Sequence, residues 1–272
     1  MSGRIRVGVG GWVFEPWRGV FYPSGLRQAD ELGYMSRHVT AIEINATYYS
    51  TQKPDSWRRW AREAPDSFVF TLKGSRFVTN RRELATAGES ITRYVEQGLT
   101  ELGPKLGPIF WQFAPTKKFD EADFGAFLEL LPRQIDGVKL RHAVEVRHAS
   151  FRTPAFIALL RRFEVPVIFA DHTTYPAIAD LTGPFVYARL QTGQDSIPTA
   201  YPPAELDAWS GRLKTWAEGG QPDDLDYVDP GAAAPTSARE VFAFIIHEGK
   251  VRAPAAAQAI IGRLGAEHAA AS

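Results

Sequence analysis

The sequence contains no cysteine. This absence excludes disulfides, thiolate metal sites and cysteine nucleophiles, and it argues against a small secreted fold that depends on disulfides. No apolar run approaches the roughly 18 residues of a membrane-spanning helix. The first residues, MSGRIRVGVGGW, lack the apolar stretch of a signal peptide. We therefore expect a soluble, cytoplasmic protein with no membrane partner.

An excess of positive charge is also missing, because 31 Lys and Arg balance 31 Asp and Glu. A protein that follows nucleic acid over a long footprint usually carries a basic excess or a basic run. The charge balance therefore argues against an extended nucleic-acid surface, but it is compatible with a local basic pocket. Nothing in the sequence indicates an oligomeric state.

Apolar and aromatic residues are abundant. They make up 44% and 12% of the 272 residues, which is enough for a large core. Short apolar runs alternate with helix-like segments, a pattern that favours a parallel sheet. Eight such runs, in a chain near the length of about 250 residues typical of (β/α)8 barrels, favour a closed barrel over an open doubly wound sheet. The predicted strands are 6–9, 40–44, 67–72, 107–113, 142–146, 166–170, 184–190 and 241–246.

Helices are predicted at 54–64, 91–102, 120–131, 205–217 and 253–264, and another begins at Thr153-Pro154. We interpret residues 1–272 as one TIM-like α/β barrel domain. Residues 218–235 are rich in Gly, Pro, Asp and Ala and predict an irregular surface loop. The alternative is a lid after the seventh strand, because long loops in compact domains are often functional.

Polar residues stand at the ends of seven successive predicted strands, from the second to the eighth. In a barrel, the last inward positions of the strands face the functional site. We therefore take these residues as candidates for the site: Glu43, Asn45, Lys73, Gln112, Glu145, Arg147, His148, Asp171, His172, Arg189 and His247.

The residue types suggest roles. Lys73, Arg147 and Arg189 would bind an anionic group, because arginine and lysine pair well with carboxylate or phosphate. Glu43 and Glu145 are candidate acid/base groups. In the alternative interpretation these charges only pair with one another inside the barrel.

The remaining candidates are histidines, an aspartate and aromatic residues. Asp171 with His172 would transfer or orient a proton, and Trp12, Trp17 and Tyr48 would wall the mouth or pack beneath its loops. A divalent metal held by carboxylates with His148, His172 or His247 stays open, although no motif such as HExxH fixes a metal spacing.

The sequence resembles the YecE-like family, domain of unknown function 72. The resemblance is carried by VGVGGWVFEPWRGVFYP at 7–23, the long block 41–80 beginning AIEINATYYS, KLGPIFWQFAP at 105–115, AVEVRHASF at 143–151, Ala170-Asp171 and YARL at 187–190. It implies a TIM-like barrel and no established activity. The polar positions that match the family are Glu43, Asn45, Lys73, Gln112, Glu145, Arg147, His148, Asp171 and Arg189.

The chain also departs from the family pattern. It has Gln112-Phe-Ala-Pro115 where QLPP is usual, and Arg189-Leu-Gln-Thr-Gly193 where an RLHG-like end is usual. The eighth strand ends Ile245-Ile-His-Glu-Gly249 instead of Phe-Asn-Asn. A site that needs those asparagines would therefore be altered, with changed specificity or lost activity.

Three functions follow from these observations. The first is an enzyme that acts on a small anionic substrate bearing phosphate or carboxylate at the C-terminal face of the barrel. The second is a divalent-metal-dependent hydrolase or isomerase. The third is a non-catalytic barrel that binds a ligand or a partner. A glycosidase is disfavoured, because Gln112 and Arg189 occupy strand ends that often carry the two carboxylates.

Overall fold

Eight parallel strands form the sheet of a computed structural model, which describes residues 3–231 and 236–265. We number them β1 to β8 in chain order, and their order in the sheet is β5-β4-β3-β2-β1-β8-β7-β6. Their bounds are Ile5–Gly10, Ala41–Ile44, Val69–Lys73, Leu106–Gln112, His142–Glu145, Phe169–Asp171, Phe185–Thr192 and Glu240–Glu248. The predicted TIM-like barrel is confirmed.

The two end strands of this order, β5 and β6, meet through a short contact. Val144 pairs with Val167 in a parallel bridge. The Val144 N–H donates to Pro166 O at 3.0 Å, and the Ile168 N–H donates to Val144 O at 2.8 Å. Residues 166–168 contribute this bridge, and the regular strand begins at Phe169, three residues later than predicted.

Helices α1 to α8 cover the outside of the sheet, and a small antiparallel ribbon joins Gln134–Ile135 to Val138–Lys139. Thr153 caps α6 by accepting the Phe156 N–H, as Thr-Pro at a helix start predicts. The helix bounds are Glu31–Met35, Pro54–Glu63, Arg76–Thr79, Gly88–Val95, Glu121–Leu130, Pro154–Phe163, Pro203–Ala217 and Ala253–Leu264. No helix in the described part of the chain is long and apolar enough to cross a membrane.

The helix predicted over 91–102 is not continuous. Helix α4 ends at Val95, Gly98 adopts a φ of 89°, and a 3-10 segment follows at Leu99–Lys105. A left-handed backbone at Gly98 interrupts the helix because this conformation cannot continue a right-handed helix. The apolar spacing still predicted burial correctly, since Ile91, Leu99 and Leu102 are all buried.

The crossover between β6 and β7 has no helix, because residues 172–184 form neither helix nor strand. Part of the segment 218–231 packs at this place. The buried carboxylate of Asp180 accepts the N–H groups of Val228 at 2.7 Å and Asp229 at 2.8 Å. The segment follows α7 and precedes the start of β8, so it does not directly follow the seventh strand. The alternative interpretation of this segment as a lid after that strand was therefore wrong. Residues 232–235 lie outside the described part.

Apolar side chains fill the inside of the barrel up to the level of the site. They come from alternate strand positions, as inward-facing residues must. The group includes Ala41, Val69, Phe110, Ala143, Ile168, Phe185, Tyr187, Phe242, Phe244 and Ile246. The next inward positions of several of these strands are polar, so the apolar interior forms the base beneath the site.

The Asp180 carboxylate is expected to hold segment 218–231 against the barrel. Asp180→Ala would leave the Val228 and Asp229 N–H groups without this acceptor and should lower the free energy of unfolding by about 2 kcal/mol. Urea denaturation measures the change. Asp223→Ala is the control, because Asp223 is exposed on the same segment. Equal unfolding midpoints for the two variants would contradict this anchoring role.

Candidate functional site

Arg189 lies at the centre of a charged layer above the apolar interior. Its Nε and Nη2 donate to the two carboxylate oxygens of Glu43 at 3.1 and 2.9 Å, and its Nη1 donates to Glu145. Both glutamate side chains are fully buried. The guanidinium lies over the Phe110 ring, 5.2 Å from its centroid. The three charged groups join β2, β5 and β7 across the barrel.

One neutral hydroxyl group, that of Tyr187, also bonds to Glu43. The Tyr187 hydroxyl donates to Glu43 Oε2 at 2.9 Å and lies 3.0 Å from Thr71 Oγ1. Burial and the nearby Glu43 charge raise the pKa of Tyr187 well above its ordinary value. Tyr187 therefore stays protonated and acts as a donor.

Glu145 has two further donors besides Arg189. Gln112 Nε2 donates to Oε2 at 3.1 Å and Arg147 Nε donates to Oε1 at 2.7 Å. Burial by itself raises the pKa of Glu145, but Arg189 and Arg147 outweigh it and lower the pKa to about 2. Glu145 is therefore ionised at neutral pH, which suits it to orient the arginines better than to donate a proton.

A cavity of about 450 Å³ opens above this layer. Polar and charged residues from most of the strand ends form much of its wall. It is lined by Gly10, Trp17, Asn45, Lys73, Gln112, Arg147, Arg189, Gln191, Ile245, Ile246, Glu248 and Lys250. We call this cavity the mouth. Six of the residues predicted for the site or its aromatic wall line it: Trp17, Asn45, Lys73, Gln112, Arg147 and Arg189.

Lys73 and Lys250 are cations of the mouth that form no ion pair with any described residue. Lys73 Nζ lies 4.5 Å from the Tyr48 ring centroid, and Lys250 Nζ lies 4.2 Å from the Phe14 ring centroid. Burial of the Lys73 amine, followed in size of effect by repulsion from Arg189, lowers the pKa of Lys73 to about 8. This value lies near neutral pH, where an amine can exchange protons readily.

Two hydrogen bonds fix the backbone of Lys73. Its carbonyl oxygen accepts the Thr47 hydroxyl at 2.7 Å and the Tyr94 hydroxyl at 3.0 Å. Both donors are buried. The point at which the lysine leaves β3 is thereby fixed, while its amine faces the mouth.

Gln191 lies in the wall of the mouth and was not among the predicted residues. It is 2% exposed, and neither its amide nitrogen nor its amide oxygen has a hydrogen-bond partner among the described residues. An unpaired buried amide is costly, so such a group is a candidate for contact with a ligand. The sequence did contain a signal for Gln191, because this residue continues the inward alternation of Tyr187 and Arg189. Lys250 was also absent from the predicted set.

Other predicted residues lie outside the lining of the mouth. Trp12 packs edge-on against Trp60 at 5.1 Å, and His148 Nδ1 lies 2.8 Å from Ser150 Oγ at the start of a 3-10 turn. The Tyr48 ring contacts the amine of Lys73, which in turn lines the mouth. The side chain of His247 lies outside the described part of the structure.

Asp171 and His172 point to separate partners. Asp171 Oδ2 accepts the Thr192 hydroxyl at 2.6 Å, and burial raises the pKa of this carboxyl. The His172 ring stacks on Tyr175 at 3.9 Å. Arg147 covers Tyr175 at 4.4 Å, so His172 is connected to the mouth through two side chains.

A metal centre has little support in the described residues. Within 3–231 and 236–265, no three His, Asp or Glu side chains are grouped so as to hold a metal ion. The two buried carboxylates are already bonded to guanidinium groups, and the groups that line the mouth are mostly hydrogen-bond donors. This donor set fits an anion better than a cation.

The charge of Glu145 should make stability depend on pH. Its pKa is lower in the folded protein than the ordinary 4.5, so its contribution is complete above about pH 4.5 and is lost as pH falls towards 2. We expect the Glu145→Gln variant to lack this contribution, which amounts to about 3 kcal/mol. The gap in unfolding free energy between native protein and variant should therefore narrow from pH 6 to about pH 2.

Urea denaturation across this pH range measures the gap. Glu129→Gln is the control, because Glu129 is an exposed glutamate on α5. A gap for Glu145→Gln that stays constant over the whole range would contradict the ionised, arginine-bound state of Glu145.

Comparison with known proteins identifies relatives of this chain. The chain is 26% identical to the UPF0759 protein YecE of Escherichia coli K12 over 150 residues, which is 54% of this chain and 50% of YecE. It is 25% identical to the UPF0759 protein YunF of Bacillus subtilis 168 over 158 residues, 56% of this chain and 54% of YunF. The chain thus spans about half the length of the curated relatives it matches.

A solved structure shares the fold over nearly the whole chain. A DUF72 family protein from Thermotoga maritima MSB8 superimposes with a TM-score of 0.68 at 21% identity, covering 94% of this chain and 96% of that one. The family model for the protein of unknown function DUF72 matches residues 6–272. The expected resemblance is confirmed: the chain belongs to the DUF72 family.

Proposed function

We propose that this TIM-barrel protein is an enzyme that binds a small molecule bearing a phosphate or carboxylate group in the mouth. The observation that carries the proposal is that Lys73 and Lys250, which have no carboxylate partner among the described residues, face one cavity. A cation in a partly buried wall is costly unless a counter-charge approaches it. An anionic ligand would supply that charge.

The charge balance of the layer beneath supports this assignment. The carboxylates of Glu43 and Glu145 are matched by the guanidinium groups of Arg189 and Arg147. The two lysines of the mouth therefore add positive charge above a neutral layer. Glu248 is the carboxylate in the same wall.

Arg147 has donors available for the ligand. Its Nε is bonded to Glu145, whereas its two terminal nitrogens form no hydrogen bond with described residues. A guanidinium held by one carboxylate can present its remaining N–H groups to an oxyanion with little loss of side-chain freedom. We assign Lys73 and Arg147 as the main contacts of the anionic group. Arg189 is the residue that fixes the carboxylates below.

Polar amides give the site its second kind of contact. Asn45, Gln112 and Gln191 line the same cavity, and the amide of Gln191 is unpaired. Amides donate to and accept from hydroxyl or carbonyl groups. The substrate that fits best is therefore a small hydroxylated or oxo compound with one anionic group.

Lys73 is the candidate for proton transfer. Its lowered pKa gives it a substantial neutral fraction slightly above pH 7, and its amine borders the anion site. A reaction of the isomerase or lyase type, in which a proton leaves a carbon near the anionic group, fits this arrangement. Glu43 and Glu145 then act as positioning residues.

Anion binding should depend on Lys73 and on pH. Sulfate keeps its charge at neutral and alkaline pH, so its affinity should fall as pH rises through about 8 and the Lys73 amine loses its proton. Lys73→Met should weaken sulfate binding by about tenfold or more, and Lys73→Arg should retain it at alkaline pH. Isothermal titration calorimetry measures the affinity.

Lys139→Met is the matched control, because Lys139 is exposed on the antiparallel ribbon. If Lys73→Met and Lys139→Met bind sulfate as well as the native protein does, the mouth is not the anion site.

Proton transfer can be tested without knowing the substrate. The native protein should incorporate solvent deuterium into at least one compound of a mixture of phosphorylated and carboxylated metabolites in deuterated water. Lys73→Met should abolish this exchange, because the amine that moves the proton is gone. Mass spectrometry follows the label. Equal labelling by both proteins, or none by the native protein, would rule out this catalytic role.

A further inference from the structure

A second polar groove lies beside the mouth on the same face of the barrel. It has a volume of about 780 Å³. It is formed by the segment after β3, which includes Thr79 at the end of α3 and Arg82, by the loop after β4, which includes Lys118, and by Tyr48 after β2. We call it the side groove. Its walls come from segments that follow the strands, where ligands of these barrels bind.

The side groove carries positive charge that its carboxylates do not neutralise. Arg82 and Lys118 are exposed and form no ion pair with any described residue. Arg81 donates to three neutral oxygens, those of Phe77, Thr86 and Ser90, so its charge also remains unbalanced.

Three acids line the side groove, and one of them is paired with a cation. Asp123 is paired with Lys117 at 2.8 Å and also accepts the Ala85 N–H. Asp120 accepts the Asp123 N–H at the start of α5. Glu83 and Asp120 are left as exposed carboxylates that form no ion pair with a described residue, against the three cations Arg81, Arg82 and Lys118, so the groove keeps a net positive charge. An anion is therefore the complementary ligand.

A buried hydroxyl in the wall also lacks a partner. Thr79 is 1% exposed, lines the side groove, and its Oγ1 has no hydrogen-bond partner among the described residues. An unpaired buried hydroxyl is unfavourable unless an outside group can bond to it. This observation is independent of the charges and also points to a ligand.

Tyr48 connects the two cavities. It lines the side groove, while one face of its ring carries the Lys73 amine that lines the mouth. Its hydroxyl lies 3.4 Å from Asn80 Oδ1, also in the side groove. A ligand held by Lys73 thus needs to pass one aromatic ring to reach Arg82 and Lys118.

We propose that the substrate of the mouth is an elongated molecule with an anionic group at each end, and that the side groove binds the second group through Arg82 and Lys118. This inference rests on the function proposed above and narrows its substrate class to compounds such as bisphosphates or phosphorylated carboxylic acids. Two groups bound at once gain affinity because the second binding step becomes intramolecular.

The experiment compares linear alkanediol bisphosphates of increasing chain length with the matching alkyl monophosphates, by calorimetry at physiological ionic strength. The native protein should bind the bisphosphate of optimal length at least about tenfold more tightly than its monophosphate. The double variant Arg82→Ala/Lys118→Ala should lose this gain and keep the monophosphate affinity. Arg133→Ala/Lys139→Ala is the matched control, because it removes two exposed positive charges elsewhere.

Two results would overturn the inference. One is equal affinity for bisphosphates and monophosphates at every length. The other is a double variant that weakens both ligands equally. Failure of the mouth itself looks different: the native protein would not bind the monophosphate, or Lys73→Met would bind it unchanged, and the function proposed above would then fall together with this extension.

Discussion

The site depends on two buried carboxylates that share one arginine. Glu43 from β2 and Glu145 from β5 have no exposed surface, and Arg189 from β7 bonds to both. Charges in such a place are stable only when each has its partners, so removal of one leaves the others uncompensated. The attraction of Glu145 and Glu43 outweighs the burial of Arg189 and raises its pKa, which keeps the guanidinium charged.

This layer determines what the cavity above it can bind. With Glu43 and Glu145 already bonded to guanidinium groups, neither is free to coordinate a metal ion. The other groups that line the mouth are mainly lysines, amides and the end of Arg147, with Glu248 as a carboxylate in the wall. The charge of Arg189 also reduces the proton affinity of Lys73. The same arginine thus forms the floor of the mouth and tunes the amine at its edge.

The barrel and much of the mouth could be predicted from the sequence, because alternation places every second strand residue inside. Glu43, Lys73, Gln112, Arg147 and Arg189 were found in this way. Which charges pair could not be predicted, because pairing depends on distances across the barrel between residues far apart in the chain. Gln191 follows the same alternation, but Arg189 already represented the seventh strand among the candidates, and Gln191 was left out.

The errors have local physical causes. Apolar spacing over 91–102 continued through Gly98, whose left-handed backbone ends the helix. Composition described 218–231 correctly as irregular, but it carried no information on which face of the barrel the segment covers. That location depends on Asp180, a single buried carboxylate in another loop.

The pairing of Glu43 with Arg189 has a consequence for how the chain becomes folded. The two residues are 146 positions apart. During synthesis, the Glu43 carboxylate therefore stays hydrated until β7, which carries Arg189, has left the ribosome. Contacts of such long range close slowly. The barrel therefore completes its charged centre late, and a nascent chain that holds only the first strands contains the acid without the base that neutralises it.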